Sequence, residues 1–236
     1  MNIINKITNY AYELLDRKIH RKKLFNILNK ILDKPKNIID IGAHKGSYTQ
    51  MFLKLNQKAN IILFEPNIYL YKKLIVIFKN KKNLKVINCG ISDQQLKKKF
   101  YINKNSDYIS TFSKVNYKSK YLMIRNLLLG SVKNKVTEKI VSVKKLNDFV
   151  FLKKIKIDLI KIDVEGYEEK IIKGGSLILK NTKIVLIEIH KNNLYSNYNY
   201  NKIHNKLLNL NFLLFKTVKF LFMTWEDRIY INKYYL

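Results

Sequence analysis

The pattern of apolar and polar positions changes character near Pro35. Before it, residues 3–32 carry apolar side chains at helical spacing, Ile7, Tyr10, Leu14, then Leu24, Ile27, Leu28 and Ile31, set among lysines. One or two amphipathic helices are expected there, packed on the domain that follows or offered to a dimer partner or a membrane surface. Proline pushes the residue before it out of the helical region, so Pro35 marks a boundary. Residues 1–34 are expected as a helical extension and residues 35–236 as the main domain.

Beyond Pro35 short apolar runs alternate with helical periodicity. "NIIDIG" (37–42), "NIILFEP" (60–66) and "LKVINCGIS" (84–92) read as strands, separated by helices over 47–56 and 69–79. Further strands are expected at 157–166, 182–190, 211–215 and 220–231, with helices at 168–175 and near 199–210. These strands are apolar without a polar alternation, so both their faces are buried, as in a parallel sheet covered by helices. The expected fold is a single doubly wound α/β domain with a mostly parallel sheet and no internal repeat. A βαβαβ order places a ligand at the carboxyl ends of the strands. Residues 94–140, rich in lysine, serine and tyrosine, interrupt the alternation and are expected to form a rim or lid over the substrate.

Composition narrows the class. A chain of 236 residues that is 47% hydrophobic can close a core, and no apolar run reaches the roughly 18 residues of a membrane-spanning helix. The first 30 residues carry charges throughout and do not read as a secretory signal. The single Cys89 cannot form an internal disulfide, which favours a reducing, cytoplasmic setting. The net charge of +29 comes from 42 lysines and only four arginines, amid abundant Asn, Ile and Tyr and scarce Gly, Ala and Pro. That pattern suggests an AT-rich coding bias, whereas surfaces that read bases and phosphates favour the planar fork of arginine. Nucleic acid is therefore not the expected partner. Loose attraction to an anionic membrane surface or an anionic glycan is what the charge alone supports.

Two of the seven glycines, Gly42 and Gly46, bracket the turn "GAHKG" between the first strand and its helix. Glycine there permits a tight turn and lets the backbone meet a ligand without a Cβ in the way. Dinucleotide sites want G-x-G-x-x-G; here His44 replaces the middle glycine. A cofactor without phosphate tolerates that spacing, and S-adenosylmethionine has none. Its amino-acid end needs an acid and backbone groups, which Asp40 and the turn supply. Glu65 follows Gly42 by 23 residues at the end of the second strand, where a carboxylate can accept both ribose hydroxyls. Ser92 or Asp93, closing the third strand, would face the adenine.

Taken together, "IDIGAHKGSYT", "ILFEPN", "VINCGISD", "LIKIDVEGYEEKIIKGG" and "VLIEIH" resemble the successive motifs of the FkbM family of S-adenosylmethionine-dependent methyltransferases, over about residues 36–190. The resemblance implies a class I methyltransferase sheet and, mostly, O-methylation of sugars or other small hydroxyl-bearing acceptors. It puts Gly42, Ala43, Gly46, Glu65, Ser92 and Asp93 on cofactor positions. Asn147 stands where the family usually has aspartate. The first 30 residues and the 94–140 segment match poorly, and these would choose the acceptor.

Methyl transfer from a sulfonium asks little of a protein beyond positioning and removal of the acceptor proton. Acidic residues number only seventeen, yet Asp163, Glu165, Glu168 and Glu169 crowd into seven positions. Asp163 ends a central strand, and "IEIH" puts Glu188 and His190 on one side of the next. Asp163 or His190 is expected to take the acceptor proton, with Glu165 and Glu188 orienting the hydroxyl. Glu168 and Glu169 read as helix-start carboxylates. Asp163, Glu188 and His190 are ordinary ligand types for a divalent ion, but sequence alone does not bring the three together and no metal is assigned. His20 and His204 read as surface residues, and Cys89 as a small buried one.

Rival readings keep the cofactor or the fold. Amino-methylating nucleic-acid enzymes commonly carry a (D/N)PP(Y/F) strand end, whereas the only prolines here are Pro35 and Pro66. Base C5 chemistry needs a proline-cysteine pair, and Cys89 follows Asn88. RNA ribose methylation and a non-catalytic binding protein on the same fold stay open.

Overall fold

The computed structural model describes residues 14, 16–103, 110–116, 118–119, 122–123, 136–191, 193–220 and 224–236. Ile7 and Tyr10 of the expected first helix, and most of 104–135, lie outside these. Among the described residues no helix is long and apolar enough to cross a membrane.

A π-helical turn, Asp16–His20, leads into helix α1, Arg21–Ile31. Then come β1 (Asn37–Ile41), α2 (Ser47–Leu55), β2 (Asn60–Phe64), α3 (Ile68–Ile77) and β3 (Leu84–Ile87). Three strands of a different sheet follow: the short β4 (Gly90–Ile91), then β5 (Leu96–Asn103) and β6 (Val136–Lys144). The main alternation resumes with α4 (Val150–Lys153), β7 (Ile157–Ile162), α5 (Glu168–Gly174), α6 (Ser176–Lys180), β8 (Thr182–His190), α7 (Tyr200–Asn209), β9 (Phe212–Lys219) and β10 (Trp225–Asn232).

The main sheet has seven strands in the order β3-β2-β1-β7-β8-β10-β9. All neighbours from β3 to β8 pair in parallel, and β10 runs antiparallel to both β8 and β9. Chain order reverses between β1 and β7, the point where such sheets open a ligand crevice. Successive strand residues face opposite sides, and both sides are apolar. Ile39, Ile41, Ile160, Ile162, Val185 and Ile187 pack with Ile171, Ile178 and Leu207 of α5, α6 and α7. Ile38, Leu159, Ile184 and Leu186 pack with Leu24 and Leu28 of α1 and Phe52 and Leu55 of α2. The fold is the doubly wound α/β arrangement that the unbroken apolar strands require.

One expected strand is corrected. The run 84–92 does not continue as one strand: the Asn88 side chain donates to the carbonyls of Glu65 (2.8 Å) and Pro66 (3.1 Å). Gly90 and Ile91 then pair with Val143 and Lys144 of β6 in the smaller sheet, whose order is β4-β6-β5. The described flanks of the 94–140 segment are thus ordered strands, β5 and β6 pairing antiparallel from Leu96↔Val143 to Asn103↔Val136.

Candidate active site

The "GAHKG" turn uses its glycines for reasons internal to the chain. Gly42 and Gly46 have φ of 83° and 78°, left-handed values open to glycine. A Cβ on Gly42 would lie 1.9 Å from the carbonyl oxygen of Asp163, and one on Gly46 would lie 2.8 Å from the Phe78 ring. The room these glycines keep is therefore filled by β7 and by the α3 end, not held open for a ligand. Glu65, buried, ties the turn down: its Oε2 accepts from the His44 N–H and its Oε1 from the Asn67 N–H, both at 2.8 Å. Burial pushes its carboxyl up to about 8, against the pull of the Asn67 and His44 donors. Asp40 is 1% exposed; Oδ2 accepts from Thr49 Oγ1 at 2.6 Å, while Oδ1 is buried with no hydrogen-bond partner. Ala43 closes the turn, its N–H donating to the Phe64 carbonyl alongside that of Gly42.

Ser92 and Asp93 make contacts within the chain. Ser92 Oγ lies 2.9 Å from the Tyr167 hydroxyl, and the Asp93 carboxylate pairs with Lys170 (3.2 Å) and Lys173 (3.3 Å) of α5. Those two lysines hold Asp93 below the usual carboxylate range, outweighing its partial desolvation. Both residues anchor α5 to the short strand β4.

At the carboxyl ends of the strands, the sheet face that packs on α1 and α2 turns from apolar to ionic. The register pairs Asp40 with Lys161, and Glu188 with Asp227. Lys161, 1% exposed, reaches Asp163 Oδ2 at 2.6 Å and stands 3.9 Å from the centre of the Tyr48 ring. Burial alone would lower its proton affinity; the surrounding Asp163, Asp40, Asp227 and Glu188 outweigh that and raise it. Asp227 Oδ2 receives Tyr48 Oη at 3.0 Å and lies 2.8 Å from His20 Nε2. His20 is buried at 3% exposure against Trp225 and Phe220, which corrects its reading as a surface residue. His204 reaches the Tyr230 hydroxyl at 2.9 Å from a half-buried position.

Beside this network the structure brings three expected residues together. His190 Nε2 lies 3.1 Å from Glu188 Oε1 and 3.4 Å from Glu165 Oε2. The ligand-type atoms of Glu165, Glu188 and His190 all fall within 4.8 Å of one another. Asp163, named with His190 and Glu188 as an ordinary ligand type, is bonded to Lys161, and the group of three ligand-type side chains is completed by Glu165. Burial pushes Glu165 up to about 8 and Glu188 well above its ordinary range; the near His190 opposes the shift at Glu165, and neighbouring carboxylates add to both. Glu165 adopts φ of 54°, and Tyr195 Oη donates to its Oε2. The next residue, Gly166, has φ of 88°, and a Cβ there would lie 2.4 Å from Tyr195 Cγ. Described parts of the 94–140 segment sit against this turn, Thr111 Oγ1 bonding the Glu165 carbonyl and Ser113 Oγ that of Gly166.

Lys161, Tyr48, Asp227 and Tyr195 escaped the sequence reading. A lysine inside the apolar strand "IDLIKID", two residues from an aspartate on the same face, was a usable signal for Lys161. Nothing local marks Tyr195. The acids read as helix-start groups separate: Glu168 is wholly buried and accepts from the Gly166 N–H at 3.0 Å, while Glu169 faces Lys206 at 3.6 Å on the surface. Asn147 accepts from the N–H groups of Leu177 (3.2 Å) and Ile178 (3.3 Å), capping α6, a role an amide oxygen fills as a carboxylate would. Cys89 is buried, as expected of a small apolar filler.

Comparison with known proteins shows the family and the fold. The Methyltransferase FkbM domain matches residues 40–214. A curated relative, the 2-O-methyltransferase NoeI of Sinorhizobium fredii, is 27% identical over 187 residues, covering 75% of this chain and 71% of that protein. Among solved structures, a rRNA methylase from Streptococcus thermophilus aligns with a TM-score of 0.51 at 10% identity, over 89% of this chain and 94% of that one. The fibrillarin pre-rRNA processing protein of Methanococcus jannaschii aligns with a TM-score of 0.51 at 13% identity, over 85% and 68%. At such identities these two show the shared fold alone. With its motif turn, its strand order and a family match spanning most of its length, the chain belongs to the FkbM methyltransferase family.

Proposed function

We propose that the protein methylates a hydroxyl of a sugar, a glycan or another small acceptor, using S-adenosylmethionine as its methyl donor. The observation that carries this reading is the convergence of Glu165, Glu188 and His190 at the carboxyl ends of β7 and β8, with the charge of Asp163 near them, beside the β1/β7 reversal. Methyl-donor use is expected for the family, and the residues present fit it. Asp40 keeps one buried carboxylate oxygen without a partner, suited to a cationic amino group. Glu65 spends two acceptor positions on backbone donors, leaving lone pairs for ribose hydroxyls. Gly42, Ala43 and Gly46 would supply the turn around the donor's amino-acid end; Ser92 and Asp93 would border the adenine through the strand they anchor. When bound, S-adenosylmethionine supplies an electrophilic methyl on sulfur.

The chain's own part is to fix the acceptor and receive its proton. Asp163 is the more open of the two acceptors, its side chain 22% exposed, and Lys161 Nζ holds its Oδ2 at 2.6 Å, which fixes the direction of the other oxygen. His190 is the other acceptor, its Nε2 lying 3.1 Å from Glu188 Oε1 and 3.4 Å from Glu165 Oε2. Glu165 and Glu188 accept hydrogen bonds from the acceptor's hydroxyls. O-chemistry is supported by the relative described as a 2-O-methyltransferase, and the lysine-rich exterior suits an acceptor that carries negative charge.

The test is transfer of labelled methyl groups to a panel of free, nucleotide-linked and lipid-linked sugars, with RNA as the competing acceptor. Label in a base-stable ether on a sugar is expected. Asp163→Asn should cut turnover by about 100-fold or more while leaving donor affinity by calorimetry unchanged. Label in RNA ribose alone would overturn the acceptor class, and wild-type turnover in the variant would remove Asp163 from the chemistry.

A further inference from the structure

The contacts within Glu165, Glu188 and His190 are those of groups arranged around a shared centre. His190 is 4% exposed, and neither ring nitrogen makes a hydrogen bond of acceptable direction, although two carboxylate oxygens lie within 3.4 Å of Nε2. An imidazolium paired with a carboxylate would point its N–H along the line to one oxygen. Here the oxygens stand to the side of that line. Ligand atoms held about 2.1 Å from one ion, at angles of about 90–110°, are about 3.0–3.4 Å apart and stand off the imidazole lone-pair axis. The observed separations are 3.1 and 3.4 Å.

The rest of the cluster has the features of a ligand set. Glu165 is held by the Tyr195 hydroxyl and by a left-handed backbone that Gly166 and the Tyr195 ring lock in place. Glu188 and His190 come two residues apart from one rigid strand. A carboxylate oriented by a tyrosine donor is a common outer support of a metal ligand. Among the described residues no lysine or arginine pairs with Glu165 or Glu188 at ion-pair distance; Lys161, whose charge reaches Glu188, makes its contact with Asp163.

We infer that Glu165, Glu188 and His190 bind one divalent first-row cation, for which two carboxylate oxygens and an imidazole favour Mn²⁺ or Zn²⁺ over an all-oxygen Mg²⁺ site. The ion would stabilise the acceptor's hydroxyl as its alkoxide. With the His190 nitrogen coordinated, the hydroxyl proton passes to a carboxylate oxygen of Asp163. That catalytic use rests on the methyl-transfer reading above; the cation site itself does not.

The experiment uses the full chain stripped with EDTA and titrated with MnCl₂, following free Mn²⁺ by electron paramagnetic resonance and bound Mn²⁺ by calorimetry, without donor or acceptor. One Mn²⁺ per chain is expected. His190→Ala and Glu188→Gln should weaken binding by about 100-fold or more, and Tyr195→Phe by about 10–100-fold. Glu169→Gln, on the surface, should bind as wild type does. Thermal unfolding in EDTA certifies each variant as folded, and Tyr195→Phe, the mildest change, decides the matter if His190→Ala does not fold. No retained Mn²⁺, or equal retention by the folded variants, overturns the site. Full-rate methyl transfer in EDTA overturns its catalytic use and leaves the methyl-transfer reading standing. Specific Mn²⁺ binding without methylation of any acceptor upholds the site while that reading fails.

Discussion

Glu65 shows how much one buried side chain can be made to do. It receives two backbone N–H groups that fix the glycine turn, and burial still lifts its carboxyl to about 8, far above an ordinary glutamate. A folded-state value raised above the unfolded one means that the free protein prefers the neutral acid. The stability this contributes is full below about 4.5 and is lost as pH rises through about 8. Ribose hydroxyls donate best to the ionised form, so donor affinity should move the other way. Calorimetric affinity for S-adenosylmethionine is expected to rise by up to about tenfold per pH unit below pH 8 and to level off above it. Glu65→Gln should bind at least about tenfold more weakly and lose that slope; a slope that survives in the variant would place the titration elsewhere. Glu65 was legible because it ends an apolar run at a strand tip. Tyr195 and Asp227 were not, since their importance arises from neighbours brought in by a loop and by the sheet register; Lys161 left only the signal of a lysine in an apolar strand.

Elements were easier to read than their joints. Apolar runs too continuous for a half-exposed sheet required helices on both faces, and α1, α2, α5 and α7 supply them. The break after β3 was hidden because apolar Ile87 and Ile91 stand on either side of it, while the side-chain bonds of Asn88 to the β2 end decide where the strand stops. At the turn after β7, the fit between two elements is tighter still. Gly166 meets the Tyr195 ring from the loop after β8, and that ring's hydroxyl holds Glu165. Gly166→Ala therefore adds a side chain at φ of 88° and drives it into the ring. A loss of about 1–3 kcal/mol in urea unfolding is expected, with turnover falling further than the instability accounts for because Glu165 is released. Normal turnover in a folded Gly166→Ala protein would show that the Tyr195 contact does not hold the site.

Across the whole molecule, charge is sorted by depth. The net charge is +29, and among the described residues the lysines other than Lys161 are not buried, yet Asp40, Glu188 and Asp227 gather on one buried sheet face with the half-buried Asp163 at its edge. Among the described residues Lys161 is the buried lysine that answers them. This arrangement could not be read from composition, because seventeen acids against 46 bases look like a surface imbalance until the register collects them. Removing the ammonium leaves several carboxylates facing one another in a site of low polarity. Lys161→Met, close in length and apolar, should destabilise by about 3–5 kcal/mol in urea unfolding near neutral pH, the range for breaking a buried pair from one side. The pH dependence follows from the same charges. Burial already raises Asp40 and Glu188 and Lys161 opposes it, so without the lysine these two take up protons more readily still in the folded state than in the unfolded one, and the variant's deficit grows as pH rises and shrinks as pH falls toward 5. A deficit of equal size at pH 5 and pH 8 would instead point to lost packing against Tyr48, and the ionic face would then contribute shape rather than charge balance.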